Sequence, residues 1–218
     1  MNEKNNMKPT LLIFAGPNGS GKSTVTKLFK RYGEYSNADD IVLATGMSNL
    51  KAAQIVDSRR YELIEEHKDF TFETVLSSKR KMELIKQAKD AGYFIKCVFV
   101  LTNNPNINIE RVQSRVDKGG HDVPEDKIIS RYYKSLKQIP ELLSLCDIMH
   151  IYDNTKAVTR IVRKHKEQFS VYPNQYWPDS EVLKLIHGEI DAIEPTAQQT
   201  QNIDFFTDLL TPTLQITK

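Results

Sequence analysis

The glycine-rich segment at residues 16–23 constrains this chain more than any other feature, because it reads Gly-Pro-Asn-Gly-Ser-Gly-Lys-Ser. An apolar run at 10–15 precedes it and predicts a buried strand, and the helical spacing at 23–32 predicts a helix behind it. A phosphate-binding loop needs this order of strand, glycine turn and helix. The sequence therefore predicts a βα unit that binds the phosphates of a nucleoside triphosphate.

The residue types within the loop match what phosphate binding requires. Glycines let backbone N–H groups turn inward around a phosphate, and the helix N-terminus behind them adds partial positive charge. Lys22 has the reach to contact the β- and γ-phosphates, and the Ser23 hydroxyl is suited to Mg²⁺. We therefore expect ATP or GTP to bind together with Mg²⁺. The expected contacts come from Gly16, Pro17, Asn18, Gly19, Ser20, Gly21, Lys22, Ser23 and Thr24.

The composition predicts a cytoplasmic protein and argues against a membrane or nucleic-acid partner. The 30 basic and 28 acidic residues leave a net charge of +2, and no apolar run approaches the ~20 residues of a membrane span. The basic run at 160–166 is interleaved with apolar residues, which favours an edge strand or an exposed helix face over nucleic-acid binding. Cys97 and Cys146 share no metal-type spacing, so we expect buried free thiols in a reducing compartment.

Apolar runs alternate with helical patterns along most of the chain, which predicts parallel strands connected by helices. The expected fold class is α/β: a three-layer P-loop NTPase or kinase fold with a mainly parallel sheet, helices on both faces and a short C-terminal appendage. We place the P-loop kinase domain at 1–167 and the appendage at 168–218. Further strands are predicted at 70–73, 93–101 and 148–152, and further helices at 51–67, 79–91, 105–116, 124–143 and 179–193.

Carboxylates follow two of the predicted strands, at the edge where parallel sheets bind their ligands. Asp39 and Asp40 follow a short extended segment, and a carboxylate there can accept the proton of an attacking hydroxyl. Glu73 and Thr74 end the next strand and can hydrogen-bond an acceptor. The alternative is a local structural role, because Asp and Thr also cap helices and turns. We favour function for Asp39, Glu73 and Thr74 and a capping role for Asp40.

Two arginines near a glycine pair form the third candidate cluster. Arg111 and Arg115 are four residues apart and so share one helix face. The Gly119–Gly120 pair that follows can act as a hinge, so we expect the arginines to close over the triphosphate and stabilise the transferring group. The alternative is a solvated helix face with acidic neighbours. His121 and Arg131 are near this cluster in sequence and are weaker candidates for substrate contact.

The ordered set of these segments resembles the zeta toxin family. The loop alone is common to many P-loop proteins, whereas the Gly-Gly-His-Asp-Val-Pro hinge after the arginine helix is much more specific. The resemblance covers roughly residues 7–165 and rests on residues 14–24, 37–39, 72–74, 111–116, 119–124 and 152–154.

The resemblance implies a particular kinase chemistry. Zeta toxins use ATP or GTP with Mg²⁺ to phosphorylate a sugar hydroxyl of UDP-N-acetylglucosamine, and small epsilon-type antitoxins block them. Carried over by motif, Lys22 and Ser23 hold the phosphates and the metal, and Asp39 is the base. Glu73 and Thr74 bind the acceptor on the same basis. A small antitoxin protein is therefore an expected partner.

The resemblance also assigns the arginines, with one departure from the family pattern. Arg111 faces the phosphates. The second lid arginine of the family falls near His121 in this chain, so its role is expected to pass to Arg115 or Arg131.

Together these patterns predict an ATP-dependent kinase that transfers the γ-phosphoryl group to a hydroxyl of a small molecule. One alternative is a regulatory nucleotide-binding or ATPase module that acts through a protein partner, and another is a nucleic-acid end kinase. Carboxylates at two strand ends favour an acceptor pocket, which a switch does not need. The expected catalytic residues are Lys22, Asp39, Arg111 and Arg115, and the expected substrate-binding residues are Asp39, Glu73, Thr74, His121 and Arg131.

Overall fold

A single mostly parallel sheet organises the computed structural model, which describes residues 8–190. The strand order across the sheet is β2-β3-β1-β4-β5-β6-β7. β1 to β5 pair in parallel, whereas β6 and β7 are antiparallel. This confirms the α/β class and the mainly parallel sheet. The strands are β1 (Thr10–Ala15), β2 (Glu34–Ser36), β3 (Phe70–Thr74), β4 (Phe94–Leu101), β5 (Ile148–Asp153), β6 (Thr159–His165) and β7 (Gln168–Val171).

Helices connect these strands, and one of them begins where its sequence signals place it. The Asn104 side chain accepts a hydrogen bond from the Asn106 N–H at 2.9 Å, and Pro105 occupies the first helical position. Within residues 8–190, none of the helices combines the length and the apolar composition that a membrane crossing requires. The helices are α1 (Lys22–Thr26), α2 (Ala38–Thr45), α3 (Asn49–Glu65), α4 (Lys79–Asp90), α5 (Pro105–Val116), α6 (Glu125–Leu136), α7 (Ile139–Leu145) and α8 (Asp179–His187).

The helix predicted at 23–32 is wrong in its length, because α1 ends at Thr26. Tyr32 cannot be helical, since its backbone N–H donates to the Thr71 hydroxyl at 2.8 Å while its carbonyl accepts from the same hydroxyl at 2.7 Å. These bonds lead the chain to the edge strand β2. As a result Leu28, placed by its spacing on the buried face, is 76% exposed.

The single helix predicted at 124–143 is also wrong, because the chain forms α6 and α7 with a break at residues 137–138. Pro140 explains the break. A proline lacks a backbone N–H and its ring disfavours a continuous helix in the turn before it, but it is tolerated in the first turn of a new helix. Pro140 lies in the first turn of α7.

The two faces of the sheet are covered unequally. The larger core lies on one face, where buried side chains from α3, α4, α6, α7 and α8 pack on the strands. The smaller core lies on the opposite face, where Val25 of α1 packs with Leu12, Phe14, Val98 and Val100. Helices therefore lie on both faces, as the three-layer prediction requires. The carboxyl ends of the parallel strands β1 to β5 lie at the same edge of the sheet.

The C-terminal region continues the sheet before it adds α8. The basic run at 160–166 lies mostly in β6, between β5 and β7, so the edge strand or exposed helix face expected there is wrong and the run forms an inner strand. The predicted boundary between 167 and 168 falls in the turn between β6 and β7, so the domain division stays a prediction. Trp177 is buried in the larger core, and α8 packs there through Val182 and Leu185. The helix predicted at 179–193 is too long, because α8 ends at His187, where Gly188 adopts a left-handed conformation with φ +76°. Residues 191–218 lie outside the described part of the chain.

We predict that Tyr93→Phe destabilises the fold by about 1 kcal/mol, because the buried Tyr93 hydroxyl loses its hydrogen bond. This hydroxyl lies 2.7 Å from the Leu63 carbonyl, in the last turn of α3, and 2.8 Å from the Lys68 carbonyl, three residues after α3 ends. The measurement is urea unfolding. Tyr133→Phe is the matched control, since the half-buried Tyr133 hydroxyl makes no hydrogen bond to residues 8–190. An equal loss in both variants would contradict the account.

Candidate active site

The loop between β1 and α1 contains glycines whose backbone conformation suits no other residue, and Gly19 and Gly21 are two of them. Gly19 has φ +75°, and a Cβ there would lie 2.3 Å from the Asn108 carbonyl oxygen. Gly21 has φ +86°, and a Cβ there would lie 2.1 Å from the Asn154 amide nitrogen. Both the left-handed backbone and the close neighbours exclude a side chain. The loop is therefore held in one conformation by what surrounds it.

Three side chains from distant elements bind this loop directly. The Asn108 amide of α5 donates to the Asn18 carbonyl at 2.7 Å, and the Asn154 amide after β5 donates to the Ser20 carbonyl at 2.8 Å. Arg131 of α6 lies 3.4 Å from the Asn18 side-chain oxygen. The sequence reasoning missed the role of both asparagines. Asn154 ended one of the motifs of the family resemblance, but Asn108 had no signal that marked it.

Lys22 places a buried ammonium group inside the loop. Its Nζ donates to the Gly16 carbonyl at 2.8 Å and to the Pro17 carbonyl at 3.0 Å. Burial lowers the pKa of Lys22 below its ordinary value, while the carboxylates of Glu73 and Asp39 act in the opposite direction. The two carboxylates therefore act electrostatically on the loop lysine. A bound anion would compensate this cation far better than carbonyl dipoles do.

A cavity of about 790 Å³ opens at this edge of the sheet. Its volume lies within the range of small-molecule sites in proteins. Among the predicted site residues, the cavity lining includes Asn18, Gly19, Gly21, Lys22, Ser23, Thr24, Asp39, Glu73, Thr74, Arg111, Arg115 and His121. Gly16, Pro17, Ser20 and Arg131 do not line it, although they lie in the loop or next to it.

Asp39 reaches the cavity from the first turn of α2. The capping function at this helix belongs to Asn37, whose side-chain oxygen accepts a hydrogen bond from the Asp39 N–H at 3.2 Å. The Asn37 amide in turn lies 3.4 Å from the Asp40 carboxylate, so Asp40 is part of the cap. The Asp39 carboxylate makes no hydrogen bond or ion pair to residues 8–190 and is free to meet a ligand.

Glu73 and Thr74 lie at the end of β3, on the side of the cavity that faces α2. Glu73 accepts a hydrogen bond from the Tyr35 hydroxyl at 3.2 Å. Burial, reinforced by the nearby Glu73 carboxylate, raises the pKa of Tyr35 to about 12, so Tyr35 stays a donor at neutral pH. The Thr74 hydroxyl accepts from the Leu76 N–H at 3.0 Å, which is a local turn bond. A lone pair and the hydroxyl proton of Thr74 remain for an acceptor.

Arg111 and Arg115 both reach the cavity from α5, but they differ in exposure and in hydrogen bonding. Arg111 donates from one terminal nitrogen to the Thr155 carbonyl at 3.1 Å, while its other terminal nitrogen is buried without a partner in residues 8–190. Arg115 is exposed and donates to the His121 carbonyl at 2.9 Å, across the Gly119–Gly120 turn. Neither arginine forms an ion pair with the acidic residues of the described range. Their charges are therefore available to an anionic ligand.

The Ser23 hydroxyl fits the weak protein contact that a magnesium–nucleotide complex needs. Ser23 is exposed and lines the cavity directly behind Lys22. No three His, Cys, Asp or Glu side chains within 8–190 group together as a metal site. Mg²⁺ is commonly held by substrate phosphates and only one or two protein ligands. The side chains present are compatible with that arrangement.

The arrangement of loop, sheet edge and cavity defines a P-loop kinase-like protein, and comparisons with known proteins identify its family. The Zeta toxin family profile matches residues 44–175, which is more than half of the chain. The chain belongs to the zeta toxin family. The matched range includes Glu73, Arg111 and His121 but begins after the loop and Asp39. An uncharacterized Haemophilus influenzae protein is 29% identical over 132 residues, which cover 58% of this chain and 94% of that protein.

Solved structures of other proteins share the fold. The AvrRxo1-ORF1:AvrRxo1-ORF2 complex with ATP has a TM-score of 0.64 at 13% identity, covering 87% of this chain and 67% of that chain. The PezAT chromosomal toxin–antitoxin system of Streptococcus pneumoniae has a TM-score of 0.56 at 14% identity, covering 96% of this chain and 91% of that chain. Family membership and this kinase-like fold together support a phosphotransferase.

We predict that Asn108→Ala weakens ATP binding about tenfold, because the loop loses a hydrogen bond worth roughly 1–1.5 kcal/mol. Isothermal titration calorimetry with Mg²⁺ and ATP measures this. Asn106→Ala is the matched control on the same helix, since its side chain makes no hydrogen bond to residues 8–190. Thermal unfolding of both variants establishes that they are folded. If Asn108→Ala bound ATP as tightly as Asn106→Ala, the side chain would not support the loop.

Proposed function

We propose that this protein is an ATP-dependent kinase that phosphorylates a hydroxyl group of a small molecule. The observation that carries the proposal is the distribution of charge around one cavity. Lys22, Arg111 and Arg115 supply cations at the loop and α5, and Arg60 and Lys81 add cations from α3 and α4. Asp39 and Glu73 supply carboxylates at the start of α2 and the end of β3. Cations suit a triphosphate, and a free carboxylate suits a hydroxyl that must lose a proton.

The residues divide the work of phosphoryl transfer between them. Asp39 accepts the proton of the acceptor hydroxyl, whose oxygen attacks the γ-phosphorus. The bond between the γ-phosphorus and its bridging oxygen breaks, and ADP leaves. Lys22 and Arg111 stabilise the charge on the transferring group and on the leaving oxygen. Ser23 would hold Mg²⁺, which would supply further positive charge to the phosphates.

We propose a nucleotide sugar, UDP-N-acetylglucosamine, as the acceptor, in line with the family resemblance. Glu73 and Thr74 are placed to hydrogen-bond its sugar hydroxyls from the end of β3. The use of ATP is supported by the related fold that carries ATP in its complex. The family membership and the toxin–antitoxin description of the PezAT system support a small antitoxin as a protein partner. We further propose that the protein acts in the cytoplasm, where ATP and nucleotide sugars are available.

We predict that Asp39→Asn keeps ATP binding but lowers phosphoryl transfer at least ~100-fold, the usual scale for a general base. The assay uses γ-labelled ATP with a metabolite extract, in parallel with UDP-N-acetylglucosamine alone. Asp40→Asn is the matched control and should lose less than about fivefold, because Asp40 bonds with the Asn37 cap.

Retained transfer by Asp39→Asn would remove Asp39 from the mechanism. Release of labelled inorganic phosphate without any labelled organic product would favour the regulatory ATPase. Label on an added oligonucleotide would favour the end kinase.

We predict that Arg115→Ala lowers kcat about 10- to 100-fold and weakens ATP binding less than about threefold. The reason is that Arg115 donates to the His121 carbonyl and would meet phosphate only when the Gly119–Gly120 turn moves. Steady-state kinetics and equilibrium binding give the two numbers. Lys127→Ala, an exposed cation at the start of α6, is the control. Equal losses in kcat and affinity would instead indicate a contact present in the ground state.

A further inference from the structure

The segment that carries Asp39 has little packing of its own. β2 has only three residues, lies at the edge of the sheet and pairs with β3 alone. None of the residues of α2 is fully buried. A short edge strand followed by an exposed helix should be among the least stable parts of a fold. The position of the Asp39 carboxylate therefore needs a support from elsewhere.

Arg60 of α3 supplies that support at the residue where β2 ends. Its Nε donates to the Ser36 hydroxyl at 2.9 Å, and one terminal nitrogen donates to the Ser36 carbonyl at 3.0 Å. The guanidinium carbon lies 4.5 Å from the centre of the Phe72 ring. The planar guanidinium group of Arg60 therefore binds both polar groups of Ser36 and stacks on the Phe72 ring of β3.

Arg60 lines the cavity and shares one carboxylate counter-ion, Asp57, with two cations of α4. Arg60 is 1% exposed, and its remaining terminal nitrogen donates to Asp57 at 3.0 Å. Asp57 also pairs with Lys81 and, at 3.4 Å, with Arg80, both from α4. Burying such a cluster costs free energy, and in some proteins buried polar groups fix one arrangement of the surrounding elements. The cluster joins α3 and α4 to the end of β2.

We propose that Arg60, with Asp57 as its counter-ion, is a positioning residue that fixes the Asp39 carboxylate through Ser36. Asp39 follows Ser36 by three positions, and Asn37 between them caps α2. A displacement of Ser36 at the end of β2 would therefore also displace the start of α2 and the Asp39 carboxylate. The inference rests on the proposed role of Asp39 as the base. It assigns Arg60 a function that its position on a helix, three residues after an aspartate, did not reveal.

The neighbouring residue offers a matched control. Arg59 binds the other end of β2, where it pairs with Glu34 at 3.0 Å on the exposed side of the sheet. Arg59 also pairs with Glu62 of its own helix at 2.9 Å. The two arginines are adjacent, and each holds one end of the same strand. Only Arg60 contacts the end from which Asp39 follows.

The experiment is a double-mutant cycle between Arg60→Lys and Asp39→Asn, with single-turnover transfer rates as the readout. Lysine keeps a cation beside Asp57 but cannot reproduce the fork. We expect Arg60→Lys to lower the rate about 10- to 100-fold, the scale of a misplaced catalytic group, with ATP affinity within about twofold. In the Asp39→Asn background the same substitution should change the rate less than about twofold. Arg59→Lys should change it less than about twofold in either background.

An equal loss from Arg60→Lys in both backgrounds, or no loss with Asp39 present, would overturn the inference. If Asp39→Asn alone retained full transfer, the proposed base would be wrong, and the inference would fail with it. Ser36→Ala is the second variant, because it removes one acceptor of Arg60 without disturbing the buried ions. It should show the same dependence on Asp39, with a rate loss of about three- to tenfold, and an Asp39-independent loss would likewise overturn the inference.

Discussion

The site depends on one buried cation, the Lys22 ammonium that lies 2.8 Å from the Gly16 carbonyl and 3.0 Å from the Pro17 carbonyl. Burial of an ammonium group is costly, as the lowered pKa of Lys22 reflects. Carbonyl dipoles and two carboxylates across the cavity compensate part of this cost. A triphosphate would supply the missing counter-charge. The loop therefore has a conformation that suits an anion before the anion binds. The hydrogen bonds of Asn108 and Asn154 stabilise this conformation.

The sequence predicted those parts of the fold and site that are encoded locally or by the rules of parallel sheets. Strand β4 follows from an apolar run, and the start of α5 from the Asn104–Pro105 pair. Asp39 and Glu73 were expected at a common edge because parallel strands bring their carboxyl ends together, and the structure places both at one cavity.

The features that the sequence did not predict depend on contacts between residues far apart in the chain. The end of α1 at Thr26 follows from bonds between Tyr32 and Thr71, which no local pattern encodes. Asn108 resembles any helical asparagine until its amide is seen 2.7 Å from the loop carbonyl of Asn18. Arg60 resembles one half of a surface ion pair with Asp57, although both are buried. The residues that support the site were therefore harder to predict than the residues proposed to carry out the chemistry.

The most direct test of the account is a crystal structure with Mg²⁺ and a non-hydrolysable ATP analogue. The account predicts that the Lys22 ammonium leaves the Gly16 and Pro17 carbonyls to bind phosphate oxygens. It also predicts that the γ-phosphate faces the Asp39 carboxylate across a space that can admit an alcohol. A γ-phosphate directed away from Asp39, or Asp39 and Glu73 closed together so that no acceptor fits, would contradict it.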